Sequence, residues 1–405
     1  MNLSNTWNTF SSAPHRMFFF GGIVQSLMTL AWWITDLGGR YGGLYVPISW
    51  SIPPIDAHYF LMIYGFFPFF IFGFLMTTYP RWMNGKEVAR REYIPAFLLL
   101  SSGILLFYAG LIVGFALMRV ALVLYLAGWS MALYSLLHVY VQAKHPDRRH
   151  ATIISAALAL GLLLAAGFVS DEAHLVVFAE VGGLWLVLLP VFFAVSHRMI
   201  PFFSAIVIPD YEIVRPYWVL VLIPACALLH AVLELAGMRP WTWLVDLPMA
   251  VSAIYLTRAW RLRDSLAVPI LGMLHISFAW LGLALVLYTA QSLCLLLTGQ
   301  LILAKAPTHA LTIGYFTSML LAMVTRVTLG HSGRALRIDR LTWSIFLTFQ
   351  FVAILRVISE LPGLEFALRG NFYLSAAVVW LTCFGLLAFK FAPIYWQPRS
   401  DGSSG

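Results

Sequence analysis

Long apolar stretches alternate with short polar ones along the whole chain, and the long ones share a common length. They fall at about 16 to 36, 57 to 79, 94 to 115, 118 to 141, 151 to 169, 174 to 195, 217 to 236, 243 to 259, 268 to 290, 307 to 327, 341 to 359 and 372 to 392. About 20 apolar residues in a helix cover the ~30 Å hydrocarbon core of a bilayer. The pattern therefore predicts an all-α polytopic bundle of about twelve transmembrane helices. Pro80, Pro146, Pro362 and Pro393 stand at or just past predicted helix ends, where a missing N–H is least costly. Trp32, Trp33, Trp50, Tyr79, Trp82, Trp241, Trp243 and Trp396 gather near the same ends, as aromatic rings do at headgroup level.

The longest stretches between spans, 37–56, 196–216, 291–306 and 328–340, are too short for a separate domain. The expected division is an N-terminal segment 1–15, one transmembrane domain 16–392 and a tail 393–405, whose last residues, Ser400 to Gly405, read as an appended linker. The first apolar run lacks a small-residue cleavage site and reads as a retained span. No internal repeat survives a residue-by-residue comparison.

Composition narrows the class. Of 405 residues, 61% are hydrophobic and only 10% are charged, against about 25% charged in a soluble domain. A water-soluble fold and a disordered chain are both excluded, and three cysteines are too few for a disulfide framework. The net charge of +8 invites a nucleic-acid reading until the charges are placed. With twelve spans, five Lys and Arg (Arg40, Arg119, Arg239, Lys305 and Arg369) fall on one side and Arg356 lies inside a span, while all the rest share the other side. That asymmetry is a topology signal: it predicts both termini and the basic loops in the cytoplasm, with the lipid bilayer as partner and no nucleic acid.

There is no C-x-x-C-H, no C-x-x-C, no Walker A run, no G-x-G-x-x-G and no H-E-x-x-H. Cys226, Cys294 and Cys383 are widely spaced and read as small apolar residues. The unusual feature is the eleven histidines. Through the predicted topology, His58, His174, His230 and His309 lie toward the outer face. His15, His138, His197, His275 and His331 lie toward the cytoplasm, and His145 and His150 sit in a solvated basic loop. Intramembrane polar groups are costly and tend to face the bundle interior. Imidazole suits iron and copper, and haem b needs only one or two axial nitrogens, which can come from different helices. Two groups at different depths allow one metal centre near each face: His174 and His197 are about 34 Å apart by helical rise.

In the second span His58, Met62, Gly65, Phe66 and Phe69 follow an α-helical stripe, which suits either a flat cofactor or helix packing. Glu180 and Glu234 are the buried acids, readable as proton carriers or as partners of Arg356. Near the cytoplasm, Arg326 and Arg334 flank His331 and are placed either to clamp haem propionates or to meet lipid headgroups.

The run from Ala306 to Leu336 resembles the most characteristic stretch of the NnrS family: His309-Ala310-Leu311-Thr312 opening a span, then Arg326, then Gly330-His331-Ser332-Gly333-Arg334. Arg16-Met17-Phe18-Phe19-Phe20, Ala57-His58 with Gly73-Phe74-Leu75-Met76-Thr77, Arg198 to Phe203 and Leu274 to Trp280 resemble the family's other motifs in order. The resemblance implies a bacterial inner-membrane protein of about twelve helices. It implies haem b, one or two groups, with copper or non-haem iron as a further metal, and a role in nitric oxide metabolism and nitrosative-stress defence. His58, His275, His309 and His331 match the family's motif histidines. Asp56-Ala57-His58-Tyr59 departs from the family's His-Ala-His-Glu, and Pro80-Arg81-Trp82 from its Pro-Asn-Trp.

Two expectations result. The first is an oxidoreductase that reduces NO to N2O with electrons from quinol or another redox partner. In it His58, His197, His230, His275, His309 and His331 are metal or haem ligand candidates, Arg326 and Arg334 flank the cofactor, and Glu180, Glu234 and Tyr59 carry protons. The second is a non-catalytic haem or NO sensor, or a transporter.

Overall fold

The structure is a computed structural model that describes residues 3–170 and 172–402. Among the described residues there is no strand, and eleven helices are long and apolar enough to cross a membrane. They are α1 (Pro14–Arg40), α2 (Pro54–Met83), α3 (Arg90–Val113), α4 (Phe115–Gln142), α5 (Arg149–Val169), α6 (Ala173–Val207) and α7 (Tyr217–Leu235), then α9 (Pro269–Thr298), α10 (Ala306–His331), α11 (Arg340–Ile358) and α12 (Phe366–Trp396). The remaining predicted span is α8 (Trp243–Ala259), 17 residues long and so about 26 Å by helical rise. It packs along α9 as one of the bundle's helices. The protein is thus an all-α multi-pass membrane bundle.

Local chemistry fixes many helix starts. Proline occupies the first turn of α1, α2, α9 and α10, where its fixed φ suits a helix and no N–H is lost to the ladder. Asp339 caps α11, accepting from the Thr342 N–H at 2.9 Å, and Lys390 on α12 reaches the same carboxylate at 2.5 Å. These charged and hydroxyl groups, the Lys390 contact first, hold the Asp339 carboxyl below the usual carboxylate range. The α3–α4 hairpin turns at Gly114 with φ +138, a conformation L side chains rarely adopt. Pro80 departs from its predicted place at a helix end: it lies inside α2, which continues to Met83 and stops where Asn84 turns left-handed.

The bundle has a centre and a rim. α2 and α10 are the most enclosed spans, with 89% and 83% of their most apolar windows buried. α6 meets both: the Tyr64 hydroxyl donates to the Ala179 carbonyl at 2.6 Å, Phe67 meets Phe192 edge-on at 5.4 Å, and the Ser196 and Tyr315 hydroxyls lie 3.0 Å apart. α12 packs back on α1 and closes the rim.

Each of the three central helices contains a wide, π-helical stretch: Phe60–Phe66 in α2, Gly183–Leu188 in α6 and Ala310–Thr317 in α10. The feature recurs every fourth span although the residues occupying it differ, so the regularity lies in the backbone and escapes sequence comparison. Side chains repair the widened ladders. Thr317 and Ser318 return hydrogen bonds to the carbonyls of Thr312 and Ile313, and Tyr125 donates to the Tyr64 carbonyl. A Cβ on Gly314 would stand 2.5 Å from the Trp280 ring, so only glycine lets α9 and α10 approach this closely.

Candidate functional site

A cavity of about 290 Å³ opens at the arginine-poor end of the bundle, between α1, α2, α6, α10, α11 and α12. Its polar wall includes His58 and Tyr59 from α2, His309 from α10, Arg40 from α1, Arg356 from α11 and Glu360 from the turn that follows it. Both histidines sit just ahead of a π-helical stretch. One extra residue in a turn rotates the helix on its N-terminal side by about 100° relative to the helix on its C-terminal side, and such bulges are frequent at functional sites.

The bulge corrects the stripe expected on the second span. His58 and Met62 line the cavity, but the next wall residues are Ile63 and Phe67. Phe66 faces Trp380 and Phe384, Phe69 faces Phe18 and Phe97, and a side chain at Gly65 would meet Gln25. A strict 3.6-residue period cannot describe a helix through a π turn.

The two cavity histidines are held differently. His309 Nδ1 bonds the Lys305 carbonyl at 2.9 Å. A carbonyl only accepts, so Nδ1 carries the proton and Nε2 presents a lone pair. That lone pair faces Arg356 Nη2 at 3.2 Å. The Arg356 guanidinium lies over the Tyr373 ring at 3.9 Å and pairs with Glu360 at 3.4 Å. His58 is held by stacking, its ring 3.9 Å from that of Trp33 and inclined by 19°, while its buried Nδ1 has no hydrogen-bond partner. Tyr59 accepts a hydrogen bond from Lys305 Nζ at 3.0 Å.

The other expected residues are dispersed. His230 and Glu234 line a second cavity beside the first; His230 Nδ1 bonds Asp246 at 2.6 Å, and Glu234 pairs with Arg239 at 3.0 Å. Glu180 lies on α6, one residue past the Ala179 carbonyl that receives Tyr64, and is on the wall of neither cavity. His174 is exposed and 3.9 Å from Glu172. At the arginine-rich end His331 lies 4.8 Å from His15, ring to ring. Arg326 packs over the Phe203 ring at 3.7 Å, and Arg334 donates to the Gln397 side chain at 3.2 Å while its Nη1 is buried without a partner. His275 bonds the Ser204 hydroxyl at 2.9 Å. Ser400 and Asp401, expected in an appended linker, pack on the loop after His331: Ser400 N donates to the Ser332 carbonyl at 2.9 Å.

One histidine expected in solvent is buried. His150 opens α5 with 2% of its surface exposed because the helix starts at Arg149, which draws the residue out of the loop and into the bundle. Its Nε2 lies 3.0 Å from His197 Nδ1, and His197 Nε2 lies 3.2 Å from the Pro216 carbonyl. The carbonyl makes Nε2 of His197 the donor, so His197 Nδ1 accepts from His150 and both of its nitrogens are engaged. Sequence reading also passed over Lys305, Thr308, Trp33 and Asp246. Asp246 carried a usable signal, a lone acid in an apolar span; the others carried none.

The helical bundle defines the class of multi-pass membrane proteins, here with an imidazole-lined cavity at one end. Residues 9–399 match the family described as NnrS protein, and the chain belongs to the NnrS family, which makes it a membrane protein related to nitric oxide. A comparison with curated proteins finds no match.

Proposed function

We propose that the protein holds haem b in the cavity at its arginine-poor end and acts there on nitric oxide, in the inner membrane of a bacterium. The observation that carries this reading is the hydrogen bond from His309 Nδ1 to the Lys305 carbonyl. Histidines that bind metals almost always donate their other ring N–H to a backbone carbonyl or a carboxylate, which fixes the tautomer. His309 is therefore the residue that would hold the haem iron. His58 has no such anchor, and its place on the cavity wall, held by the stack on Trp33, suits the imidazole that would face a bound ligand. Mononuclear copper or non-haem iron takes several protein donors, and among the described residues no three His, Cys, Asp or Glu side chains are placed to hold a metal ion together; one or two nitrogens are enough for haem.

Arg40 and Arg356, on the same wall, supply the positive charge that haem carboxylates need. Ile63 and Phe67 exclude water from the inner part of the cavity. Tyr59 and Lys305 hold an exchangeable proton at the wall, 3.0 Å between donor and acceptor. Haem, when bound, would supply NO binding and a path for electrons. The reaction proposed is 2 NO + 2 e⁻ + 2 H⁺ to N2O + H2O, with a quinol or another redox partner as donor.

The test is an anaerobic NO-consumption assay with a quinol, on protein of measured haem content, with N2O followed by gas chromatography. N2O formed at half the NO consumed supports the reductase. A haem spectrum that shifts with NO, with no N2O, leaves a haem-based NO sensor.

A further inference from the structure

A second cavity of about 140 Å³ lies against the first, and its wall carries the polar side chains of His230, Glu234, Arg239, Tyr288 and Gln291. Lys305 and Thr308 line both cavities, so a single layer of side chains separates them. One water needs roughly 10–15 Å³ by this measure and two to four polar partners. The second cavity offers space and partners for several.

Its polar groups form a series. Glu234 is a fifth exposed, with a side-chain exposure of 21%, and meets Arg239 near the surface at 3.0 Å. Its other oxygen lies 3.6 Å from His230 Nε2. His230 is buried and fixed: Nδ1 bonds Asp246 at 2.6 Å, and the ring stacks on Trp185 at 3.6 Å. On the shared wall the hydroxyls of Tyr288 and Thr308 are 2.9 Å apart, and Lys305 bonds Tyr59 of the histidine cavity. Asp246, Arg239 and Lys305 are the charged groups that face Glu234 and His230.

We infer that the second cavity is a water-filled proton antechamber, feeding the histidine cavity from the arginine-poor face through Glu234, His230 and the Tyr288–Thr308 hydroxyl pair. The Glu234 carboxylate takes a proton from the aqueous phase and passes it to cavity water, with His230 Nε2 as an alternative acceptor whose positive charge Asp246 offsets. The Tyr288 and Thr308 hydroxyls each accept one proton as they release another, so nothing is oxidised or reduced along the series. The purpose of the route rests on the proposed NO reduction, which takes two protons per N2O; the water and its path do not.

Radiolytic footprinting with mass spectrometry tests the water directly, because hydroxyl radicals from internal water oxidise the side chains beside it. Tyr288 is expected to oxidise several-fold faster than Tyr125, which lies in the dry core with 1% exposure. A Leu295→Phe substitution, which fills the cavity, is expected to bring Tyr288 down to the Tyr125 rate. Equal slow rates in the unaltered protein would overturn the antechamber whether or not haem is bound. In haem-loaded protein, Thr308→Val is expected to lower NO turnover by about a hundredfold, the scale of one proton-transfer group, with the haem spectrum unchanged. Unchanged turnover with a wet cavity overturns the transfer step alone, and a protein without haem overturns the preceding proposal while the footprint still decides this one.

Discussion

His309 and His58 share a cavity wall, yet one ring is fixed by a hydrogen bond and the other by a stacked tryptophan. Their assigned roles differ accordingly, and substitution separates them: His58→Ala is expected to keep haem content near that of the parent while altering the spectrum of the NO adduct. Loss of haem in that variant would reassign the ligand. A second consequence concerns Asp147, in the loop before α5. Burial pushes its carboxyl up, but the Tyr217 hydroxyl at 2.6 Å, the Arg149 N–H and neighbouring positive charge outweigh that and leave it below the usual range. A carboxyl depressed in the folded state stabilises the protein above its unfolded pKa of about 3.9 and loses that contribution as pH falls through the folded value. Asp147→Asn is therefore expected to lower the thermal midpoint at pH 7, with the gap to the parent closing below about pH 4 in unfolding measurements. Residue identities were legible in the sequence and their surroundings were not. His150 reads as a loop residue by its basic neighbours, and only the start of α5 at Arg149 reveals the buried pair with His197.

Among the elements, the spans were the most legible feature. α7 and α8 fall within a residue of their expected bounds, because length and hydropathy alone decide where a helix enters a bilayer. α6 runs on from its expected end at 195 to Val207, since the polar Ser196-His197-Arg198 stretch ends the apolar run without ending the helix. The π-helical stretches were illegible: no residue type signals an extra residue per turn, and it is repaired by groups distant in sequence, such as Tyr125. Their tight packing yields a further prediction. Gly314→Ala places a Cβ against the Trp280 ring, which is itself held by Gln350 at 2.9 Å. Overpacking of this kind costs about 1–3 kcal/mol, so the variant is expected to unfold at lower temperature and to bind less haem, His309 being the residue just before the bulge. A variant as stable as the parent would show that α9 and α10 separate freely.

At the scale of the molecule, the charge asymmetry predicts that both termini and the arginine-rich loops face the cytoplasm. Reporter fusions check it: a phosphatase is expected to be active when joined at the loop near residue 301 and inactive near residue 87, and the reverse pattern would invert the bundle. The all-α class and the family were both legible, the first from composition and the second from one motif-rich run around α10. The cavity was not, because six helices far apart in sequence build it and the bulges in α2 and α10 turn its histidines. The most direct measurement is the optical spectrum of purified protein and its His309→Ala variant from haem-replete cells, oxidised and dithionite-reduced, with pyridine haemochrome quantitation. A b-type spectrum in the parent that is lost in the variant is the predicted result; a parent with no Soret band, or a variant that keeps its haem, contradicts the assignment of haem to this cavity.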